Sequence, residues 1–131
     1  MPERITWEAV KGQGNSLLSP AYKSNGHVFL SGSTGQDPKT GIFPGDVKEQ
    51  TENVIQGLKR TLEASGSSLD KTLKVLLFIS HAADAAAINE VYAKHFTTKP
   101  ARSALVVGFP NPKIKVEIEV VAEYKEIKSK L

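Results

Sequence analysis

The octapeptide Leu73-Lys74-Val75-Leu76-Leu77-Phe78-Ile79-Ser80 constrains this chain more than any other stretch. It is too short and too β-branched and aromatic for a helix, so it reads as a strand. Successive side chains of a strand point to opposite faces. Val75, Leu77 and Ile79 therefore face one way and Leu76 and Phe78 the other, and both faces are apolar. Both must be covered.

Material for one cover is easy to find. From Asp46, residues Val47, Thr51, Val54, Ile55, Leu58 and Leu62 recur at helical spacing. Asp46 and Glu49 fit a capping-box pattern, and Gly66 supplies a stop. A second helix is expected from about Asp84 to Phe96, with Ala85, Ile88, Val91, Tyr92 and Phe96 on one stripe. Strands are expected over residues 4–10, at Tyr22-Lys23 and at His27–Ser31, the last two joined as a hairpin through Asn25-Gly26. Two more are expected over Arg102–Gly108 and Ile114–Tyr124, joined by the turn Phe109-Pro110-Asn111-Pro112. Gly32 to Gly41 reads as a loop.

The order β-β-β-α-β-α-β-β gives an α+β chain with a mixed sheet of five or six strands. Two helices cover one face of such a sheet. The second apolar face then calls for a further copy of the chain, packed sheet to sheet. With 131 residues and no repeat or linker-like tract, the whole of 1–131 is expected to form one domain.

Composition removes several functions. There are no cysteines, which excludes a disulfide framework, a thiolate metal site and a cysteine nucleophile. His27, His81 and His95 lack ligand spacing, so no metal is expected. His81 and His95 read as surface histidines, and Trp7 as a packed aromatic of the first strand. The net charge of +3 is too small an excess to imply a nucleic-acid partner, and Lys125, Lys128 and Lys130 read as a solvated end. No apolar run approaches membrane-spanning length, and the chain opens without a secretory pattern, so the cytoplasm is expected, with a mitochondrial location left open.

Chemistry concentrates in Lys99-Pro100-Ala101-Arg102-Ser103-Ala104-Leu105 and Lys115-Val116-Glu117-Ile118-Glu119. Arg102 opens a strand, where its planar fork could hold a carboxylate through two charge-assisted hydrogen bonds. Glu117 and Glu119 share a strand face. Spacing alone leaves two readings open, a solvated Arg–Glu cross-strand pair or a site in which a carboxylate positions water.

These two runs, with Gly108, resemble the signature of the Rid family, also called YjgF/YER057c/UK114, which includes enamine and imine deaminases. Ser19-Pro20, Val28-Phe29-Leu30-Ser31-Gly32, Asp37-Pro38-Lys39-Thr40-Gly41, Asp46-Val47, Leu62-Glu63-Ala64-Ser65-Gly66 and Asn89-Glu90-Val91-Tyr92 extend the likeness over nearly the whole chain. The resemblance implies a chorismate-mutase-like subunit, a homotrimer with clefts between subunits, and hydrolysis of 2-enamine or 2-imino acids to 2-oxo acids and ammonia without a cofactor. By the same resemblance Arg102 clamps the substrate carboxylate, Glu117 accompanies the hydrolytic water, and Gly32 and Ser33 line the substrate cleft, with Tyr22 reaching it only if the early loop shifts register by one residue. A trimer that only binds small 2-imino or 2-oxo carboxylates, or a protein partner, would use the same cleft. The chain departs from the family pattern in two places. It has Ser19-Pro20-Ala21-Tyr22 where many members carry Pro-Tyr, and Ser31-Gly32-Ser33 where they carry Ser-Gly-Gln. With Ala21 in the tyrosine's place, the cleft is expected to be roomier and to lack one hydroxyl.

Overall fold

The computed structural model describes residues 1–12 and 14–125; Lys128 and Lys130, read above as part of a solvated end, lie outside them. Seven strands and two α-helices form one layer of each kind: β1 (Glu3–Ile5), β2 (Ala21–Ser24), β3 (His27–Leu30), β4 (Ser33–Thr34), α1 (Val47–Ala64), β5 (Thr72–Ile79), α2 (Ala85–His95), β6 (Ala101–Val106) and β7 (Val116–Glu123). Six strands run in the order β1-β2-β3-β7-β5-β6, and β4 pairs with β7 off that path. Only β5 and β6 are parallel. The strand count exceeds the expected five or six because Ser33 and Thr34, inside a stretch that reads as loop, pair with Ile118 and Glu117.

The first hairpin forms as its turn chemistry dictates. Asn25 and Gly26 both take positive φ, 51° and 81°, which matches the twist of the flanking strands. α1 starts where Asp46 Oδ1 accepts from the Lys48 amide, and it ends in a left-handed Gly66 at φ 79°. Its stripe of Val54, Ile55, Leu58 and Leu62 is fully buried against the sheet.

Two expectations fail. The first strand stops at Ile5, and residues 7–11 turn, so Trp7 belongs to a loop. β6 and β7 are not a hairpin: β5 inserts between them, pairing with β6 on one side and β7 on the other. The apolar β5 gains more from sheet neighbours on both sides than it would at an edge, where its amides would meet water.

The register decides which side chains share a face. Val75, Leu77 and Ile79 are buried under the helices with Val116, Ile118 and Val120. On the other face, Leu76 pairs with Glu119 and Phe78 with Glu117. Phe29 and Leu105 are 50% and 45% exposed on that same open face, and Tyr22 stands beside Phe29. The open face is thus apolar with two carboxylates set in it.

Candidate active site

Arg102 sits near the start of β6, an edge strand hydrogen-bonded to β5 alone. It is in register with Val75, so its side chain emerges on the helix side. There its guanidinium lies over the Tyr92 ring, 4.7 Å from the centroid, and donates to Asn89 Oδ1 at 2.8 Å. Both partners belong to α2, so the helix aims the cation. Tyr92 stacks on Phe96 and leaves its hydroxyl buried with no hydrogen-bond partner among the described residues. Burial pushes the Tyr92 phenol up, partly offset by the Arg102 charge. Beside the guanidinium, Tyr92, Phe96, Lys99 and Pro100 enclose a pocket of about 380 Å³. This is a cation held by an aromatic face and one amide oxygen, with donors left over for an anion.

Glu117 is on the open face, half-buried, opposite Phe78 of β5 and Thr34 of β4. Burial raises its pKa above the ordinary carboxylate value, and the neighbouring Glu119 charge raises it further. The carboxylate is seated against Gly32. A Cβ at that position would fall on the Glu117 oxygen and lie 2.8 Å from its carboxyl carbon. Glycine is therefore the residue that admits the carboxyl group. A half-desolvated carboxylate with a raised pKa is a stronger base than a solvated one and is suited to exchange protons with a nearby water.

The two groups do not meet within one chain. Arg102 emerges on the helix side, Glu117 on the open side, and β5 lies between their strands. The cross-strand Arg–Glu pair open from spacing is thereby excluded.

The remaining residues divide. Gly32 lies against Glu117. The Ser33 hydroxyl is turned away, donating to the Val54 carbonyl of α1 at 3.0 Å. Ala21 is buried in the core at 2% exposure, so it lines no cleft. Tyr22 points to the open face in the row Tyr22–Phe29–Val121, four residues along β7 from Glu117. Its hydroxyl belongs to a different part of that face. His95, read as a surface residue, is instead a clasp, with Nε2 3.0 Å from Glu52 between α2 and α1. Asn89 was not anticipated, although its spacing from Tyr92 puts both on one turn of α2.

Comparison with known proteins agrees with the fold. The family described as "Endoribonuclease L-PSP" matches residues 14–124. A RutC family protein of Pyrococcus horikoshii is 43% identical over 110 residues, covering 82% of this chain and 86% of its own. The chloroplastic Reactive Intermediate Deaminase A of Arabidopsis thaliana is 40% identical over 106 residues, 79% of this chain and 57% of the longer relative. A crystal structure of E. coli TdcF with bound serine superposes with a TM-score of 0.84 at 29% identity, covering 94% of this chain and all of the other. With the family match spanning most of the chain and a mixed sheet backed by two helices, this protein belongs to the endoribonuclease L-PSP family, the YjgF or Rid family.

Proposed function

We propose that this protein hydrolyses 2-imino acids, the tautomers of 2-enamino acids, to 2-oxo acids and ammonia. The observation that carries the reading is the pairing of chemistries, a carboxylate-binding fork at Arg102 and a half-buried carboxyl of raised pKa at Glu117. A 2-imino acid has a carboxylate next to an electrophilic C=N carbon. The Arg102 fork would fix the carboxylate and, with it, the position of that carbon. Glu117 takes a proton from water as the oxygen adds to the C=N carbon and passes it to the imine nitrogen, giving a carbinolamine. It then takes the carbinolamine hydroxyl proton and gives it to nitrogen as C=O forms and the C–N bond breaks, so water enters, ammonia leaves and the carboxylate is restored. No cofactor enters this scheme.

Because one chain sets the two groups on opposite faces, the catalytic cleft is assigned to the junction between copies. The Arg102 edge of one chain meets the Gly32–Glu117 surface of the next. The apolar open face gives these copies their reason to assemble, and the closed arrangement proposed is a homotrimer. A relative named as a reactive intermediate deaminase and a structural neighbour holding an amino acid support this substrate class.

The test generates imino acids in situ with an amino-acid oxidase and follows ammonia release with and without the protein. Acceleration that disappears in Arg102→Ala supports the reading. No acceleration of any imine, with Arg102-dependent binding of 2-oxo acids retained, replaces it with a carboxylate-binding trimer.

A further inference from the structure

A second concavity lies on the helix side of the sheet, away from the Arg102 pocket. It is a groove of about 490 Å³ between the N-terminal loop and α1. Trp7 forms one wall. Its Nε1 donates to the Leu18 carbonyl at 3.0 Å, and the backbone of Gly12 and Gly14 lies close on the indole, so the ring is held at the groove's side. Leu18 adds a second apolar surface. The opposite wall is α1, and there the helix carries a glycine, a residue of low helix propensity, in its interior. A Cβ on Gly57 would stand 2.6 Å from Ser33 Oγ and 3.6 Å from Arg60 Nη2. The Arg60 guanidinium thus folds back over bare helix backbone toward β4. No described residue pairs with it. The acid on the rim, Asp37, accepts the Lys39 and Thr40 amides on Oδ1 and makes no ion pair with Arg60. The groove therefore sets two cations, Lys11 and the unpaired Arg60, against the one carboxylate of Asp37, with an indole and a leucine on the wall facing α1.

We propose that this groove binds a small organic anion with an apolar body, an aryl-alkyl carboxylate in class, its charge on Arg60 and its body against Trp7. A volume of this size suits a ligand of a dozen or more heavy atoms, and a carboxylate matches the guanidinium fork. Gly32 and Ser33 line the groove as well, so in the proposed assembly it adjoins the cleft at Gly32, while Arg60 stands on its α1 wall, apart from the Arg102 pocket of the same chain.

Trp7 is the sole tryptophan, so its fluorescence reports the groove directly. The probe is 3-phenylpropanoate, titrated against the whole protein with excitation at the red edge of the indole band. Propanoate supplies the charge without the body, and 3-phenylpropan-1-ol the body without the charge. A saturable Trp7 signal is expected with 3-phenylpropanoate, with roughly tenfold or weaker affinity for each truncated probe and a comparable loss in Arg60→Gln. Arg102→Ala should bind as the wild type does. The proposal is overturned if no probe perturbs Trp7, if Arg60→Gln binds with unchanged affinity, or if Arg102→Ala abolishes the signal. That last outcome would place the probe on the clamp. Since Arg60→Gln leaves the clamp intact, imine hydrolysis measured on the same variant separates the fate of this site from that of the deaminase.

Discussion

Arg102 owes its usefulness to a stacking partner, since Tyr92 and Asn89 hold the guanidinium while leaving part of its fork free. Arg102→Ala should lower imine hydrolysis by at least about tenfold, the scale of one charge-assisted hydrogen-bond pair, while its melting temperature changes little. Arg102→Lys should also be poor, because a point ammonium cannot present two parallel donors. Glu117 makes a prediction of opposite sign for stability. Its folded pKa is raised, so the folded state holds the proton more tightly than the unfolded chain does. Its contribution is favourable at low pH and is lost as pH rises from the ordinary carboxylate value through the folded one. Glu117→Gln should therefore be at least as stable as wild type at pH 7 and should lose less stability over that rise, even as hydrolysis falls. Thermal melts across pH 4 to 8 check it, and a variant less stable than wild type at pH 7 would sink the desolvation argument. Tyr22→Phe should leave hydrolysis nearly unchanged wherever the cleft uses Glu117 of the same chain. A large loss would show that the hydroxyl arrives from a neighbouring copy.

Between elements, α1 is tied at Gln50 to the segment after β4 and to the turn before β7. Gln50 is fully buried there. Its amide donates to the carbonyls of Pro44 and Lys113, and its oxygen accepts from the Lys115 amide. Gln50→Leu strands three backbone groups and should cost about 3 kcal/mol or more, readable as a lowered denaturant midpoint. Gly35→Ala should also destabilise, since its Cβ would lie 2.7 Å from the Gln50 carbonyl oxygen, which cannot move without α1. This junction also shows what the sequence conveys and what it withholds. Helix periodicity, the Asp46 cap and the Asn25-Gly26 turn are local signals, and those elements form where they were expected. The insertion of β5 between β6 and β7 is a long-range choice that spacing alone does not encode. It also determines that Arg102 and Glu117 face apart. Residue type and family pattern single out both as candidates, whereas the contact of Gly32 with the Glu117 carboxyl is visible only in the folded chain. One position past Gly32, the Ser33 side chain turns to the helix side of the sheet, which residue type alone does not reveal.

As a whole, the molecule is a one-sided layer. Helices cover one face, while Tyr22, Phe29, Leu76, Phe78 and Leu105 lie on the other. Light scattering at micromolar concentration should give about three times the chain mass of 14.2 kDa. Leu105→Glu, which sets a charge on the open face beside Phe78, should shift the population to smaller species. A stable wild-type mass near 14.2 kDa would remove the intersubunit cleft along with the oligomer. The opposed placement of Arg102 and Glu117 also bears on inheritance. A chain lacking the arginine and a chain lacking the glutamate would each be inactive alone, yet mixed rings would contain junctions with one intact group from each parent. Denaturing the two variants together at equal amounts and refolding them should restore about a quarter of wild-type activity, the share of junctions that random assembly leaves whole. Two null alleles of this gene in one cell could then complement each other, while either one beside the wild-type allele would leave as many whole junctions as the wild-type chains form alone.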